Sequence, residues 1–189
     1  MINKKRCAWV NLKNDLYIKY HDEQWGVPVY EDRVLFEMLV LEGAQAGLSW
    51  ETILNKRENY KKAFDNFDVQ KVSFYDEKKE LELLADAGIV RNKLKIKSAI
   101  KNAKVFLQIQ KEFGSFSSYL WHYVDGKPIQ NHFENISDVP TSTELSDTLS
   151  KDLKKRGMSF VGSTIIYAFM EAIGMVNDHT IDCFRYKEI

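Results

Sequence analysis

Cysteine is nearly absent from this 189-residue chain, with two residues, proline has three and glycine nine. Two cysteines cannot build the disulfide framework of a small secreted domain, so Cys7 and Cys183 are read as either buried bystanders or metal ligands. With few helix breakers, and with Leu, Lys, Glu and Ala outweighing Val and Thr, the composition favours helix over sheet and an all-α fold. No apolar run is long enough to cross a membrane, and Met1-Ile2-Asn3-Lys4-Lys5-Arg6 leads into Cys7-Ala8-Trp9 rather than a secretory stretch. A cytoplasmic chain is expected. There is no excess of either charge, since 27 basic residues balance 27 acidic ones, so the average charge points to no polyanionic partner. A hydrophobic content of 44% over this length is enough for one substantial core, and a single domain over 1–189 is expected.

Local patterns say more than the averages. The segment Arg91 to Lys104 carries six positive charges and no acid, and a second basic cluster is Lys151, Lys154, Lys155 and Arg156. Asp32 is expected to cap a helix running to about Ala46, and Ser49 one beginning at Trp50. Asp76 is expected to cap a helix closed by Gly88, Asn92 one closed by Gly114, and Ser115 a shorter one through Tyr123. From Leu94 to Leu107 the apolar residues keep a helical period, leaving Lys93, Lys97, Lys101 and Lys104 on the opposite face, where phosphate can be met. The stretch from Asp125 to Ser142 reads as a long surface loop.

Two further patterns bear on chemistry. Leu145, Leu149 and Leu153 predict a helix ending at Gly157. The turn Met158-Ser159-Phe160-Val161-Gly162 follows, and a second helix starts at Ser163 and runs to Gly174, placing a helix-hairpin-helix at about 144–174. Such a turn either simply joins two antiparallel helices or offers backbone amides to a phosphate. His179 and Cys183 are spaced i, i+4, so on a helix they share one face, and with Cys7 and His21 they make a Cys2His2 set. Four protein ligands would leave no open coordination position, which points to a structural site; the alternative is four ordinary core residues. Glu42 lies at i+3 from Leu39 and i+4 from Met38, on the buried face of its helix. A buried carboxylate needs a partner or shifts its pKa, so Glu42 is half of an internal ion pair or the polar anchor of a pocket.

Tyr17-x-x-Tyr20-His21-Asp22-x-x-Trp25-Gly26, followed by Phe36-Glu37-Met38-x-x-Leu41-Glu42-Gly43-x-Gln45-Ala46-Gly47-Leu48-Ser49-Trp50, resembles DNA-3-methyladenine glycosylase I. The likeness continues through Lys56-Arg57-Glu58-Asn59-Tyr60, Ala87-Gly88-Ile89-Val90-Arg91, Leu153-Lys154-Lys155-Arg156-Gly157, Phe160-Val161-Gly162 and Gly174-Met175-Val176-Asn177-Asp178-His179, sparing only the loop near 125–140. The resemblance implies an all-α, helix-hairpin-helix glycosylase domain and one structural zinc on Cys7, His21, His179 and Cys183. It implies that Glu42 reads a flipped base and is the residue closest to catalysis, that Trp50 stacks on that base, and that Tyr20, Tyr17, Trp9 and Trp25 form or support the pocket. Leu48, beside Gly47, resembles the side chain inserted into the duplex, and Gly157, Val161, Gly162 and Ser163 resemble the phosphate-binding hairpin. The implied partners are double-stranded alkylated DNA and free 3-methyladenine as product, with the chain acting as a monomer. A catalytic Asp after the hairpin, frequent in the wider superfamily, has only Asp178 and Asp182 as candidates, both beside zinc ligands, so a monofunctional glycosylase without lyase chemistry is expected.

Overall fold

The structure is a computed structural model that describes residues 4–189. Its described residues are mostly helical. In chain order the helices are α1 (Asp15–Glu23), α2 (Asp32–Gln45), α3 (Trp50–Ala63), α4 (Val69–Ser73), α5 (Glu77–Ala85), α6 (Lys93–Phe113), α7 (Phe116–His122), α8 (Glu144–Lys155) and α9 (Ser163–Ala172). None of them is long and apolar enough to cross a membrane.

The centre of the fold is α2. Every residue from Leu35 to Ala44 is buried, so this helix has no solvated face, and α3, α6, α7 and α9 pack around it. A helix surrounded in this way cannot show a clean amphipathic stripe, and its sequence of Leu, Phe, Met, Val and Ala interrupted by Glu37 and Glu42 reflects that. By contrast α6 is amphipathic: Ile96, Ala99, Ile100, Ala103 and Phe106 are buried, while Lys93, Lys97, Lys101 and Lys104 face solvent. Leu94, in its first turn, also points outward and does not join the apolar face.

Side-chain caps at Ser49, Asp76, Asn92 and Ser115 fall where the sequence places them. Two boundaries differ. The helix capped by Asp76 ends at Ala85 rather than Gly88, because the Asp86 carboxylate accepts from the Gly88 amide at 2.7 Å and closes a turn there. Asp32 does not cap α2, whose first turn has no side-chain cap. Its carboxylate instead accepts from the Phe116 and Ser117 amides at 2.9 and 2.8 Å and from Gln110 Nε2 at 2.7 Å, so it caps α7 from across the core.

The stretch after Asp125 is mostly irregular, but it carries a short strand β1 (Ile129–Gln130) that pairs in parallel with β2 (Val176–Asn177). Asn131 and Gln130 extend this contact through bonds to Asp178 and Asn177 at 2.6 and 2.9 Å. Beyond it a 3-10 turn (Ile136–Asp138) lies over the site described below. His179 and Cys183 follow β2 in a turn-rich segment and not on a helix; the Asn177 side chain, which accepts from the His179 amide at 3.2 Å, fixes the start of that segment.

Because Asp32 supplies two bonds to the first turn of α7 and one to Gln110 of α6, Asp32→Ala is expected to destabilise the fold by about 1–2 kcal/mol, the usual cost of a lost cap. Urea unfolding of the two proteins measures this, with no accompanying change in the site.

Candidate functional site

A cavity of about 180 Å³ opens between α1, α2, α9 and the N-terminal segment. Its walls are Trp9, Tyr17, Tyr20, Trp25 and Trp50, with Gln45, Ala168 and Ile136 at the remaining sides and Glu42 and Glu171 as its two carboxyls. All five aromatic residues singled out in the sequence are therefore brought to one cavity. Their rings are mutually braced: Trp9 packs at 5.3 Å from Tyr17 and 4.9 Å from Trp25, and Tyr20 at 5.2 Å from Trp50. Edge and tilted contacts of this kind hold the rings while leaving a face free for a planar guest. Trp50 Nε1 is buried without a hydrogen-bond partner among the described residues.

The two buried glutamates of α2 have opposite surroundings. Glu37 is 2% exposed and meets Arg57 Nε at 2.7 Å and Arg33 Nη1 at 3.6 Å. Glu42 is 4% exposed and has no ion pair or hydrogen bond among the described residues. Burial alone pushes its carboxyl up to about 8. The ion pair left open for Glu42 is made instead by Glu37, five residues earlier, and Glu42 lines the cavity without one among the described residues. Sequence reasoning passed over Glu171, which lies in the last turn of α9 and faces the same cavity. Burial, then the nearby Asp178 and Glu42, hold its carboxyl well above the usual range. The only signal for it was a lone acid between Met170 and Ala172 on an apolar helix.

Beside this cavity a second hollow of about 180 Å³ shares Glu42, Gln45 and Ala168 with it and continues along Ala46, Gly47, Leu48, Thr164 and Ile165. Gly47 has φ +76°, a left-handed conformation that glycine adopts at no steric cost, and it turns the chain so that Leu48 stands out at 41% exposure. Across the hollow, α8 and α9 pack against each other, joined by the short connection 156–162. Val161 is 1% exposed, so its side chain cannot reach a ligand, and its carbonyl accepts from Ser150 Oγ at 2.6 Å. Ser163 Oγ is bonded to Ser146 Oγ at 2.8 Å. No side chain caps α9, whose N-cap is Gly162, so what the hairpin has to offer is its first-turn amides.

Behind the Trp9 and Trp25 side of the cavity, Cys7, His21, His179 and Cys183 are all buried, and one potential ligand atom from each lies within 4.8 Å of the others. Each imidazole is held by its other nitrogen: His21 Nδ1 by Asp22 Oδ1 and His179 Nδ1 by Asn177 Oδ1, both at 2.8 Å. Asp22 is in turn gripped by Arg6 through two bonds of 2.8 and 2.6 Å. Oxygen acceptors on both Nδ1 atoms turn each Nε2 into the cluster, the arrangement of metal-ligating histidines, and there His21 Nε2 meets the Cys7 amide at 3.3 Å and Cys183 Sγ at 3.4 Å. His179 Nε2 is buried with no partner among the described residues, and burial, reinforced by His21, pushes that ring down to about 3 and keeps it neutral. The four residues can therefore hold a metal ion.

Asp178 and Asp182 have structural partners. Asp178 accepts from Tyr167 Oη and Asn131 Nδ2, both at 2.6 Å, and Asp182 accepts from the Thr180 hydroxyl at 2.8 Å.

An aromatic cleft that holds a carboxyl without a partner among the described residues, next to a helix start with open amides, has the shape and polarity to take in a planar ring. A family model described as methyladenine glycosylase matches residues 9–186. DNA-3-methyladenine glycosylase 1 of Escherichia coli (strain K12) is 48% identical over 182 residues, spanning 96% of this chain and 97% of that protein. A crystal structure of 3-methyladenine DNA glycosylase I superposes with a TM-score of 0.92 at 48% identity, covering 95% of this chain and 98% of the other. A variant of 3-methyladenine DNA glycosylase I in complex with 3-methyladenine superposes at 0.91 with 38% identity, covering 95% and 96%. The chain belongs to the methyladenine glycosylase family and is a glycosylase of the hydrolase class. The family match spans the stretch near 125–140 as well.

The position of Glu42 has a consequence for stability. Its carboxyl ionises near 4.5 when the chain unfolds and near 8 when folded, so across that interval the folded state keeps a proton the unfolded state has lost. Stability from this group is full below about pH 4.5 and declines as pH rises towards 8. Glu42→Gln removes that slope, and its gain over the parent protein, measured by urea unfolding, should grow by about 3 kcal/mol between pH 5 and pH 8. A gap that stays constant with pH would show that Glu42 is not the buried titrating group.

Proposed function

We propose that this protein, acting as one domain and as a monomer, excises 3-methyladenine from double-stranded alkylated DNA and leaves an abasic site for base excision repair. The observation that carries the proposal is Glu42: a buried carboxyl without a cation, inside a cavity walled by five aromatic residues. A purine methylated at N3 is positively charged while it remains on the sugar. Electron-rich ring faces and an anionic carboxylate both favour it over neutral adenine. Glu42 accepts from the exocyclic amine of the flipped base, and burial strengthens that contact because water does not screen it. Trp50 stacks on the ring, while Tyr17, Tyr20, Trp9 and Trp25 shape the pocket.

Flipping costs a few kcal/mol and is cheapest for a damaged, weakly paired nucleotide. Leu48 fills the gap left in the duplex, and the amides of Gly162 and Ser163, with the turn from Gly157 through Val161, hold phosphate as a helix-hairpin-helix. Water then adds to the sugar C1′ as the C1′–N9 bond breaks, and the proton it gives up passes to solvent. The bond's electron pair goes to the base and cancels its positive charge, so no acid is needed to protonate the leaving group. Glu42 serves recognition and electrostatic stabilisation, and no lysine nucleophile or lyase step is involved.

The Cys2His2 donor set suits zinc in a closed, four-coordinate structural site. Zinc there would tie Cys7 and His21 near one end of the chain to His179 and Cys183 near the other, keeping Trp9, Tyr17 and Tyr20 around Glu42.

Incubation of the protein with methylated duplex DNA should release free 3-methyladenine, and binding to that DNA without release would overturn the proposal. Glu42→Gln should lower kcat/KM by roughly 10²-fold or more, in line with loss of a buried charged contact. Because ionised Glu42 is the competent form, kcat/KM should climb with pH through about 8, and this limb should vanish in Glu42→Gln. Zinc analysis should give one equivalent per chain. Its removal by a chelator should lower Tm and activity together; activity that fell while the fold persisted unchanged would indicate a catalytic metal instead.

A further inference from the structure

The two segments assigned to DNA, the Gly47–Leu48 tip and the hairpin around Ser159 to Gly162, belong to different parts of the chain, yet both are bonded to one helix. Lys95, near the start of α6, sends its ammonium to the Ala44 and Ala46 carbonyls at 2.7 and 2.6 Å. These are among the last carbonyls of α2, which its own hydrogen-bond ladder leaves open, so a positive charge there both bonds and complements the helix end. The residue after Ala46 is Gly47, and the next is the exposed Leu48. Further along α6, the buried Asn102 makes a two-way bond to the hairpin. Its Nδ2 donates to the Ser159 carbonyl at 2.8 Å, and its Oδ1 accepts from the Ser159 amide at 2.9 Å.

Lys95 and Asn102 are seven residues apart, which brings them back to nearly the same side of the helix, separated by roughly 10 Å along its axis. The hairpin also touches α2 directly, since a Cβ placed on Gly43 would lie 3.5 Å from Phe160 Cβ. The hairpin is thus fixed against α2 at Gly43 and against α6 at Asn102, and the end of α2 is fixed against α6 at Lys95. Neither Lys95 nor Asn102 is among the residues that wall the cavity holding Glu42.

We infer that Lys95 and Asn102 are positioning residues that set the distance between the duplex wedge at Leu48 and the phosphate seat of the hairpin, with α6 as the rigid spacer. The inference rests on the reading of those two segments as DNA contacts. Its chemistry is that of register. Flipping requires the wedge to enter the stack while the strand beside it is held, so a shift of about 1 Å between the two can cost on the order of a hundredfold in rate without any change in the base pocket.

Two readouts separate this role from a general loss of structure: kcat/KM for release of 3-methyladenine from methylated duplex DNA, and the Kd for free 3-methyladenine. For Lys95→Met and Asn102→Ala the duplex rate should fall about tenfold to a hundredfold while the free-base Kd stays within about twofold. Lys95→Arg, which can still reach the two carbonyls with a cation, should recover most of the duplex rate. The double variant should fall by less than the product of the two single losses, because both act on one distance. Duplex rates unchanged in both single variants, free-base affinity lost in step with the duplex rate, or strictly multiplicative losses would each overturn the inference. A wild-type protein that releases no 3-methyladenine would instead remove the functional reading on which it stands.

Discussion

A carboxyl held out of water with no cation beside it is the constraint around which this molecule is organised. On α2, two acids are buried five residues apart in an otherwise apolar helix. Arg57, held in place by Gln24 as well, and Arg33 neutralise Glu37. Nothing comparable reaches Glu42, and the cost of leaving it so is written in its raised pKa. A fold tolerates such a group only where the surrounding structure enforces it, and here the enforcement is complete. Because α2 is enclosed by α3, α6, α7 and α9, it cannot rotate Glu42 towards solvent without dismantling the core.

The metal cluster and the pocket are parts of one wall. Trp25 lies edge-on at 4.5 Å from His179 and Trp9 at 5.3 Å from His21, so two aromatic residues of the cavity pack directly on two of the four residues that could hold a metal ion. Gly26 shows how close this packing is, since a Cβ there would come within 2.9 Å of the His179 ring while the backbone holds φ +78°. His21 and Tyr20 are neighbours on α1, one turned to the cluster and the other to the cavity. An ion held by these four residues would thereby restrict the rings that wall the cavity, without itself lining it.

Much of this arrangement was legible before any coordinates. The helical punctuation at Ser49, Asn92 and Ser115 and the short turn between Gly157 and Ser163 follow from local rules, because caps and turns are set by neighbours in sequence, whereas the gathering of aromatic residues near Glu42 is implied by the family resemblance and not by any local pattern. What escaped were interactions made across the core. Asp32 has the form of an ordinary N-cap for the helix it begins, and only the approach of α7 redirects its carboxylate. His179 and Cys183 have helical spacing but need only converge on a point, which a turn-rich segment anchored by β2 achieves equally well. Glu171 carried no periodic signal that separated it from an exposed surface acid. Ile136, in a stretch that reads as loop, reaches the cavity because β1 and the bonds of Gln130 and Asn131 bring that stretch back across the C-terminal segment.

The raised pKa of Glu42 also sharpens how a pocket of this kind would choose its base. Near neutral pH the empty pocket keeps Glu42 largely protonated, since its carboxyl titrates near 8. A neutral purine entering the cavity finds an uncharged acid and gains only stacking and ordinary hydrogen bonds. A cationic purine draws the carboxyl into its ionised form, and the pair then attract one another where water cannot screen them. Each unit by which the cation lowers that pKa corresponds to about 1.4 kcal/mol of preference over the neutral ring. Had an arginine been placed beside Glu42, as Arg57 is beside Glu37, the acid would already be ionised and satisfied, and the arrival of a positive base would change little. On the function proposed above, the absence of a partner at Glu42 would be the source of the discrimination, and the stability lost to the buried acid would be inseparable from it.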